Sequence, residues 1–229
     1  MSDKKNVQQL EGGDAAIAKA KDFWTRNSKM IIGVCAVVIV LGGGWLIYKN
    51  FFKAPKEKKA NEAMFRAEDY FRMDSINLAL NGDGQYPGFL KVASQYSGTD
   101  AGNMANYYAG VCYIRLDDNE KAIQYLKKFS TSAKQVQAAA YKLLGDAYAD
   151  LGKNSDALSN YKKAAHHFEE DKIASANALF MAAYFADRVM KDTKEATSLY
   201  KELKEKYPQS PQAIDGDKFL AQLGVYNVN

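Results

Sequence analysis

AAAYKLLGDAYADLGKNSDALSNYKKA, residues 138–164, decides the fold. Tyr141, Leu144, Gly145 and Tyr148 recur at the three- and four-residue spacing of one helix face, and Ala157, Tyr161 and Ala164 do the same after Gly152. The stretch therefore reads as two helices joined by a tight turn. Gly145 and Ala157 are small where the two helices cross, and the three tyrosines fill the space beside them. The same order recurs upstream in NYYAGVCYIRLDDNEKAIQYLKKF. There Gly110, Tyr113, Ala122 and Leu126 lie 35 residues before Gly145, Tyr148, Ala157 and Tyr161. Downstream, ALFMAAYFADRVMKDTKEATSLYKELKEKYP repeats it as Ala196, Tyr200, Leu203 and Pro208, with a stretched first helix and turn. A helical hairpin returning at this interval predicts a stacked array.

These offsets resemble the tetratricopeptide pattern of aromatic, Leu-Gly, Tyr, then Ala, aromatic and Ala. The predicted fold class is all-α: one N-terminal transmembrane helix followed by a tetratricopeptide α-solenoid over 56–229. Within it we expect a degenerate first hairpin at 56–97, repeats near 103–134, 138–171 and 175–208, and a capping helix at 211–223. One amphipathic helix is expected from residue 56 to the turn Asn81-Gly82-Asp83-Gly84, then a short one over 88–96. Helices follow near 104–116, 120–129, 136–151, 155–167, 175–190 and 194–207. The inner groove of such an array is lined mostly by the first helix of each hairpin, which nominates Tyr107, Val111, Lys142, Asp146, Tyr184 and Arg188. This mixture of aromatic and charged side chains suits an extended or partly unfolded peptide. It does not reproduce the Lys/Asn/Arg clamp with which some tetratricopeptide domains grip a C-terminal carboxylate.

The other organising stretch is MIIGVCAVVIVLGGGWLIY, residues 30–48, which holds no charge. As a helix it covers roughly 28 Å, against ~30 Å for a bilayer's hydrocarbon core, so we read 30–52 as a membrane anchor. It is not a cleaved signal: bulky Phe51 and Phe52 and then Pro55 follow where cleavage needs small residues. Val34, not a small residue, precedes Cys35, which argues against a lipoprotein signal. Residues 1–13 are polar and expected to be disordered, with Asp14 capping a short amphipathic helix. Phe23 and Trp24 belong at headgroup level beside Lys19, Lys21, Arg26 and Lys29. Pro55 is expected to interrupt or end the anchor helix. Gly42, Gly43 and Gly44 would let another membrane helix approach closely. Four basic residues precede the anchor and Lys49, Lys53, Lys56, Lys58 and Lys59 follow it, so flanking charge barely distinguishes the two orientations. A short basic tail crosses less readily than a long trailing domain. We therefore expect residues 1–29 in the cytoplasm and the repeats outside it.

The formal charge of +4 is spread over interleaved Lys and Glu, which describes solvated helix faces rather than a nucleic-acid patch. The two cysteines, Cys35 in the anchor and Cys112 in a helix, make no disulfide framework. Only two histidines exist, His166 and His167. As helical neighbours they point about 100° apart and are expected to be solvated. The loop 81–85 lacks the later acidic ligands of a calcium loop, and Glu169-Glu170-Asp171 reads as a solvated loop. No phosphate-cradling loop or nucleophile elbow is present. We expect neither catalysis nor a cofactor nor a metal, and oligomeric state is not encoded in any pattern we find.

The layout is similar to the YfgM-like ancillary subunits of the bacterial Sec translocon. The resemblance is carried by KDFWTRNSKM, the glycine-rich anchor IIGVCAVVIVLGGGWLIYKN and the repeats behind them, while the turn YPQSPQA resembles periplasmic tetratricopeptide proteins of envelope assembly. It implies a single-pass protein of the bacterial inner membrane with a periplasmic repeat domain. The implied partners are the SecYEG translocon, a PpiD-like periplasmic chaperone and unfolded secreted or outer-membrane proteins, met by an adaptor or holdase without catalytic residues. The alternative is a membrane-anchored scaffold for another envelope-assembly complex or a cytoplasmic regulatory one.

Overall fold

The computed structural model describes residues 3–226, with side chains at Ile17 and from Lys19 onward. The chain divides into two compact units, Met1–Pro55 and Lys56–Asn229. The described residues are almost wholly helical, with one isolated bridge between Gly82 and Pro87 and no strand.

In the first unit, α1 (Asp3–Ile47) runs without a break. The cap expected at Asp14 and the disorder expected before it are therefore not found; Met1 and Ser2 lie outside the described residues. A π-helical segment, Tyr48–Lys53, follows, and the Ala54 N–H reaches back five residues to Lys49 O. This segment sits immediately before Pro55, whose ring would otherwise crowd the carbonyl of Phe51. Widening the turn relieves that crowding, so Pro55 neither breaks nor ends the helical backbone. This helical stretch is the one among the described residues long and apolar enough to cross a membrane, and none of its apolar window is buried.

The second unit begins within α2 (Ala54–Arg72) and continues through α3 (Ile76–Asn81), α4 (Phe89–Gln95), α5 (Asp100–Arg115) and α6 (Asn119–Leu126). Then come α7 (Lys134–Asp150), α8 (Asn154–His167), α9 (Lys172–Arg188), α10 (Thr193–Lys206) and α11 (Pro211–Gln222). The single helix expected up to residue 81 is in fact two. Asp74 stands in the left-handed region at φ 58, its carboxylate 2.7 Å from Arg115 Nη1. Aspartate tolerates that conformation better than most residues, which lets a run without glycine or proline turn sharply.

That turn is the first of a series. Asp74, Asp117 and Gly152 all have φ between 58 and 68 and close the same motif. The next N–H returns to a tyrosine carbonyl five residues back: Ser75 to Tyr70 at 2.8 Å, Asp118 to Tyr113 at 2.9 Å and Lys153 to Tyr148 at 2.9 Å. This is a Schellman closure, satisfying carbonyls that a helix end leaves open. After α9 the turn is longer, with Lys191 taking the left-handed position at φ 57, as the stretched third repeat predicts.

Helices α6, α9, α10 and α11 start on side-chain caps. Asp118 accepts from Lys121 N, Asp171 from Ala174 N, Asp192 from Glu195 N and Ser210 from Ala213 N. The start of α5 is capped twice, by Thr99 and by Glu57 of α2, whose two carboxylate oxygens accept from Asp100 N and Ala101 N at 2.8 Å each.

Glycine and alanine set the distance between paired helices. Ala122, Ala157 and Ala196, one per repeat, are wholly buried. Gly110 faces Leu126 and Gly145 faces Tyr161. The sequence pairing of Gly145 with Ala157 is thereby refined: the glycine makes room for the ring one turn further along α8. At the far end, Tyr200 stacks on Phe219 of α11 with centroids 5.5 Å apart, while Asp215 and Lys218 pair on the outer side of α11. A polar outer face is what a terminal helix of an array requires.

Polar ties repeat at the same interval as the hairpins. Lys162 Nζ lies 2.7 Å from Glu195, His166 Nε2 2.7 Å from Glu202, Lys206 Nζ 2.7 Å from Glu169 and Lys134 Nζ 2.8 Å from Glu170. These pairs are half-exposed, so each contributes at most ~1 kcal/mol. They add partners to two stretches that are largely exposed as expected. His166 is held between Glu202 and Lys162 O, and His167 meets the Tyr141 ring edge-on at 5.3 Å. The run 169–171 is engaged by Lys206, Lys134 and the start of α9 rather than merely solvated. The loop 81–85 closes on itself instead: Asp83 accepts from Gln85 N, Tyr86 N and Tyr70 OH, and the bond from Tyr86 leads the lowering of its pKa.

Candidate protein-binding groove

One groove of about 680 Å³ runs between α7 and α9, with the end of α8 behind it. Its walls are two helix stripes. Gln135, Ala138, Ala139 and Lys142 stand at i, i+3, i+4 and i+7 of α7, and Ala174, Ala178, Met181 and Tyr184 line it from α9. Phe168 and Ala164 close the back, and Phe180 adds a second aromatic wall. Alanine occupies these stripes because α7 and α9 bury their opposite faces in the array, where Ala140, Ala147, Ala182 and Ala186 are inaccessible. Tyr184 stands on the rim, 44% exposed.

The groove's polar groups are held by the fold. Lys142 Nζ lies 2.7 Å from Asp146 Oδ2, and Asp146 Oδ1 accepts from Tyr161 OH at 3.0 Å. Burial, followed by the Asp146 charge, pushes the Tyr161 phenol well above its ordinary range. Asp171 accepts from Ala174 N at 3.0 Å and from Gln135 Nε2 at 3.2 Å. Ser175 Oγ donates to Phe168 O at 3.0 Å, and Asn177 Oδ1 accepts from Gln212.

Of the six residues nominated from repeat position, Lys142 and Tyr184 line the groove. Asp146 lies behind Lys142 and fixes it. Tyr107 packs on Phe129 with centroids 5.2 Å apart, and Val111 is half-buried beside it on α5; neither reaches the groove. Arg188 lies over the Phe219 ring at 5.1 Å and bonds Gln222, joining α9 to α11. Phe23 and Trp24 are exposed, and a Cβ added at Gly42, Gly43 or Gly44 would meet no atom within 4 Å. Sequence reasoning missed the alanine stripes and Phe168. The signal was present in Ala138-Ala139 and Ala174–Ala178, at positions where helix propensity alone also favours alanine.

Compared with known families, the tetratricopeptide repeat profile matches residues 104–133 and 177–210. The first match covers most of α5 and all of α6, and the second covers most of α9 and all of α10. The α7–α8 hairpin between them shares the turn of α5–α6 and the wholly buried alanine of both. No curated protein matches the chain significantly. The chain thus carries tetratricopeptide repeats in these two segments, and repeats of this kind generally serve as protein–protein interaction scaffolds.

Proposed function

We propose that the protein is a membrane-anchored, non-enzymatic adaptor or chaperone that presents its α7–α9 groove to protein segments at the exit of a Sec translocon. The observation that carries this reading is the combination, in one chain, of an apolar helix of membrane-spanning length with a repeat array whose groove is open to a partner. The likeness in layout to YfgM-like subunits supports the location: a bacterial inner membrane, residues 1–29 cytoplasmic and the array periplasmic. There the partners are SecYEG, a PpiD-like chaperone and emerging secreted or outer-membrane proteins.

Purification of the full chain in mild detergent is expected to recover translocon subunits and the periplasmic chaperone; recovery of neither removes the translocon role. Alkaline phosphatase fused after Asn229 is expected to be active. A second reading, a cytoplasmic scaffold on the same anchor, is favoured by the fifth basic residue on the C-terminal flank. An inactive but well-expressed fusion would select it.

A further inference from the structure

We infer that the groove between α7 and α9 takes an apolar segment of a protein partner that carries a lysine or arginine at the end meeting Asp171. The inference rests on the reading that this groove is where a protein partner binds, and it names the charge of what binds there. Alanine, methionine and phenylalanine make up most of the wall, so its length favours apolar side chains. Two charged residues line it, Asp171 and Lys142. They stand at different ends. Asp171 precedes α9 and is joined to Gln135, in the first turn of α7, at 3.2 Å, whereas Lys142 lies about two turns further along α7.

The two charges are answered differently. Lys142 Nζ lies 2.7 Å from the Asp146 carboxylate, which makes that end of the groove neutral. Asp171 accepts from neutral donors, the Ala174 N–H at 3.0 Å and the Gln135 amide, and no lysine, arginine or histidine among the described residues forms an ion pair with it. The two acids before it differ in this respect. Glu169 is paired with Lys206 at 2.7 Å and Glu170 with Lys134 at 2.8 Å. Lys172 cannot serve from within α9, because it projects about 200° round the helix from the groove-lining Ala174. The first turn of α9 offers Asp171 partial charges and not a whole one. One end of an apolar wall therefore carries a negative charge without a cation. A basic side chain of the partner finds its counter-charge there, an acidic one is repelled, and apolar surroundings screen the pair less than open water does.

The experiment uses the full chain in zwitterionic nanodiscs and two fluorescent peptides that share one short apolar core and carry either lysine or glutamine at both ends. The lysine peptide is expected to bind at least about threefold more tightly than the glutamine peptide, and the gain should shrink as salt rises. Asp171→Asn removes the charge and keeps a side chain that caps a helix equally well. It should erase the preference for lysine while leaving the binding of the glutamine peptide and the melting temperature unchanged. Ala139→Trp, at an exposed wall position, should weaken both peptides about tenfold or more. Equal binding of the two peptides, or a preference for lysine that survives Asp171→Asn, overturns the basic end; binding still lost in Ala139→Trp then leaves the groove as the binding site. Binding of neither peptide, or binding indifferent to Ala139→Trp, overturns the groove reading itself.

Discussion

Gly145 on α7 lies against the ring of Tyr161 on α8: a methyl group at that Cα would sit 2.5 Å from both Cδ1 and Cε1. Tyr161 is 4% exposed and its hydroxyl is bonded to Asp146, so the ring cannot swing aside without breaking that bond. Gly145→Ala should therefore destabilise the array by ~1–3 kcal/mol, read as a shift in the urea midpoint. Gly110→Ala should cost less. Its obstacle, at 2.5 Å, is Cγ of Leu126, an aliphatic side chain that no hydrogen bond holds in place, rather than a bonded ring. Equal shifts for both variants would contradict this account.

Lys191 holds a left-handed backbone at φ 57, where Asp117 and Gly152 stand in the preceding turns. That conformation costs a residue with a Cβ about 1–2 kcal/mol, part of which glycine returns as lost unfolded-state freedom. Lys191→Gly is expected to raise the midpoint by several tenths to ~1 kcal/mol, while Gly152→Ala should lower it by a similar amount. Thermal denaturation of the two variants beside the parent decides the matter.

Glu57 caps α5 from another helix, its two oxygens on Asp100 N and Ala101 N. Removing both acceptors in Glu57→Ala should cost ~0.5–2 kcal/mol, and Glu57→Gln, which keeps one oxygen, about half of that. Hydrogen exchange offers a local readout, since the amides of 100 and 101 should exchange faster in both variants while those of α10 stay unchanged.

Burial pushes the Cys112 thiol from an ordinary 9.0 up to about 12, only partly opposed by Arg115. The folded chain keeps a proton that the unfolded chain releases above pH 9.0, so this contribution is whole below that value and fades as pH climbs towards 12. Burial raises Tyr161 and Tyr200 in the same sense. Urea midpoints should therefore decline steadily on the alkaline side, and Cys112→Ala should make the first part of that decline shallower. A thiol-specific reagent should label Cys112 only after denaturant is added.

Glu202 titrates at the other end of the scale. Burial pushes it up, but hydrogen bonds from His166 and Lys206 outweigh burial and leave it below its ordinary value. Its stabilising share is present above the usual carboxylate range and disappears as pH falls through the lowered value. Glu202→Gln should flatten the acid limb of the stability profile, and an unchanged limb would refute the tie between α8 and α10.

The hairpins were legible in the sequence because their contacts are local and their residues extreme. Gly110, Gly145, Ala122 and Ala157 can be small for one reason only, and the tyrosines beside them recur at one interval. The break at Asp74 was hidden because an aspartate in left-handed backbone leaves no glycine or proline to mark the turn, and the Arg115 that meets its carboxylate lies 41 residues away. Pro55 was misread because a π-helical segment can absorb a proline that an α-helix cannot. The groove was half legible. Lys142 and Tyr184 follow from repeat position, but its alanine walls look like ordinary helix formers until α7 and α9 are set side by side. Tyr107 and Arg188 occupy groove-type positions and were taken up by Phe129 and by α11.

From α5 onward each helix packs chiefly on the next one or two in the chain, and the turns inside the hairpins α5–α6 and α7–α8 close through bonds between residues five apart. Such an array needs no distant partner to begin folding. A chain delivered N-terminus first can complete α5 and α6, set α7 and α8 upon them, and leave only the newest edge uncovered until α11 arrives. The order of synthesis is then also the order of assembly, and the groove between α7 and α9 comes into being before the chain's last two helices are in place.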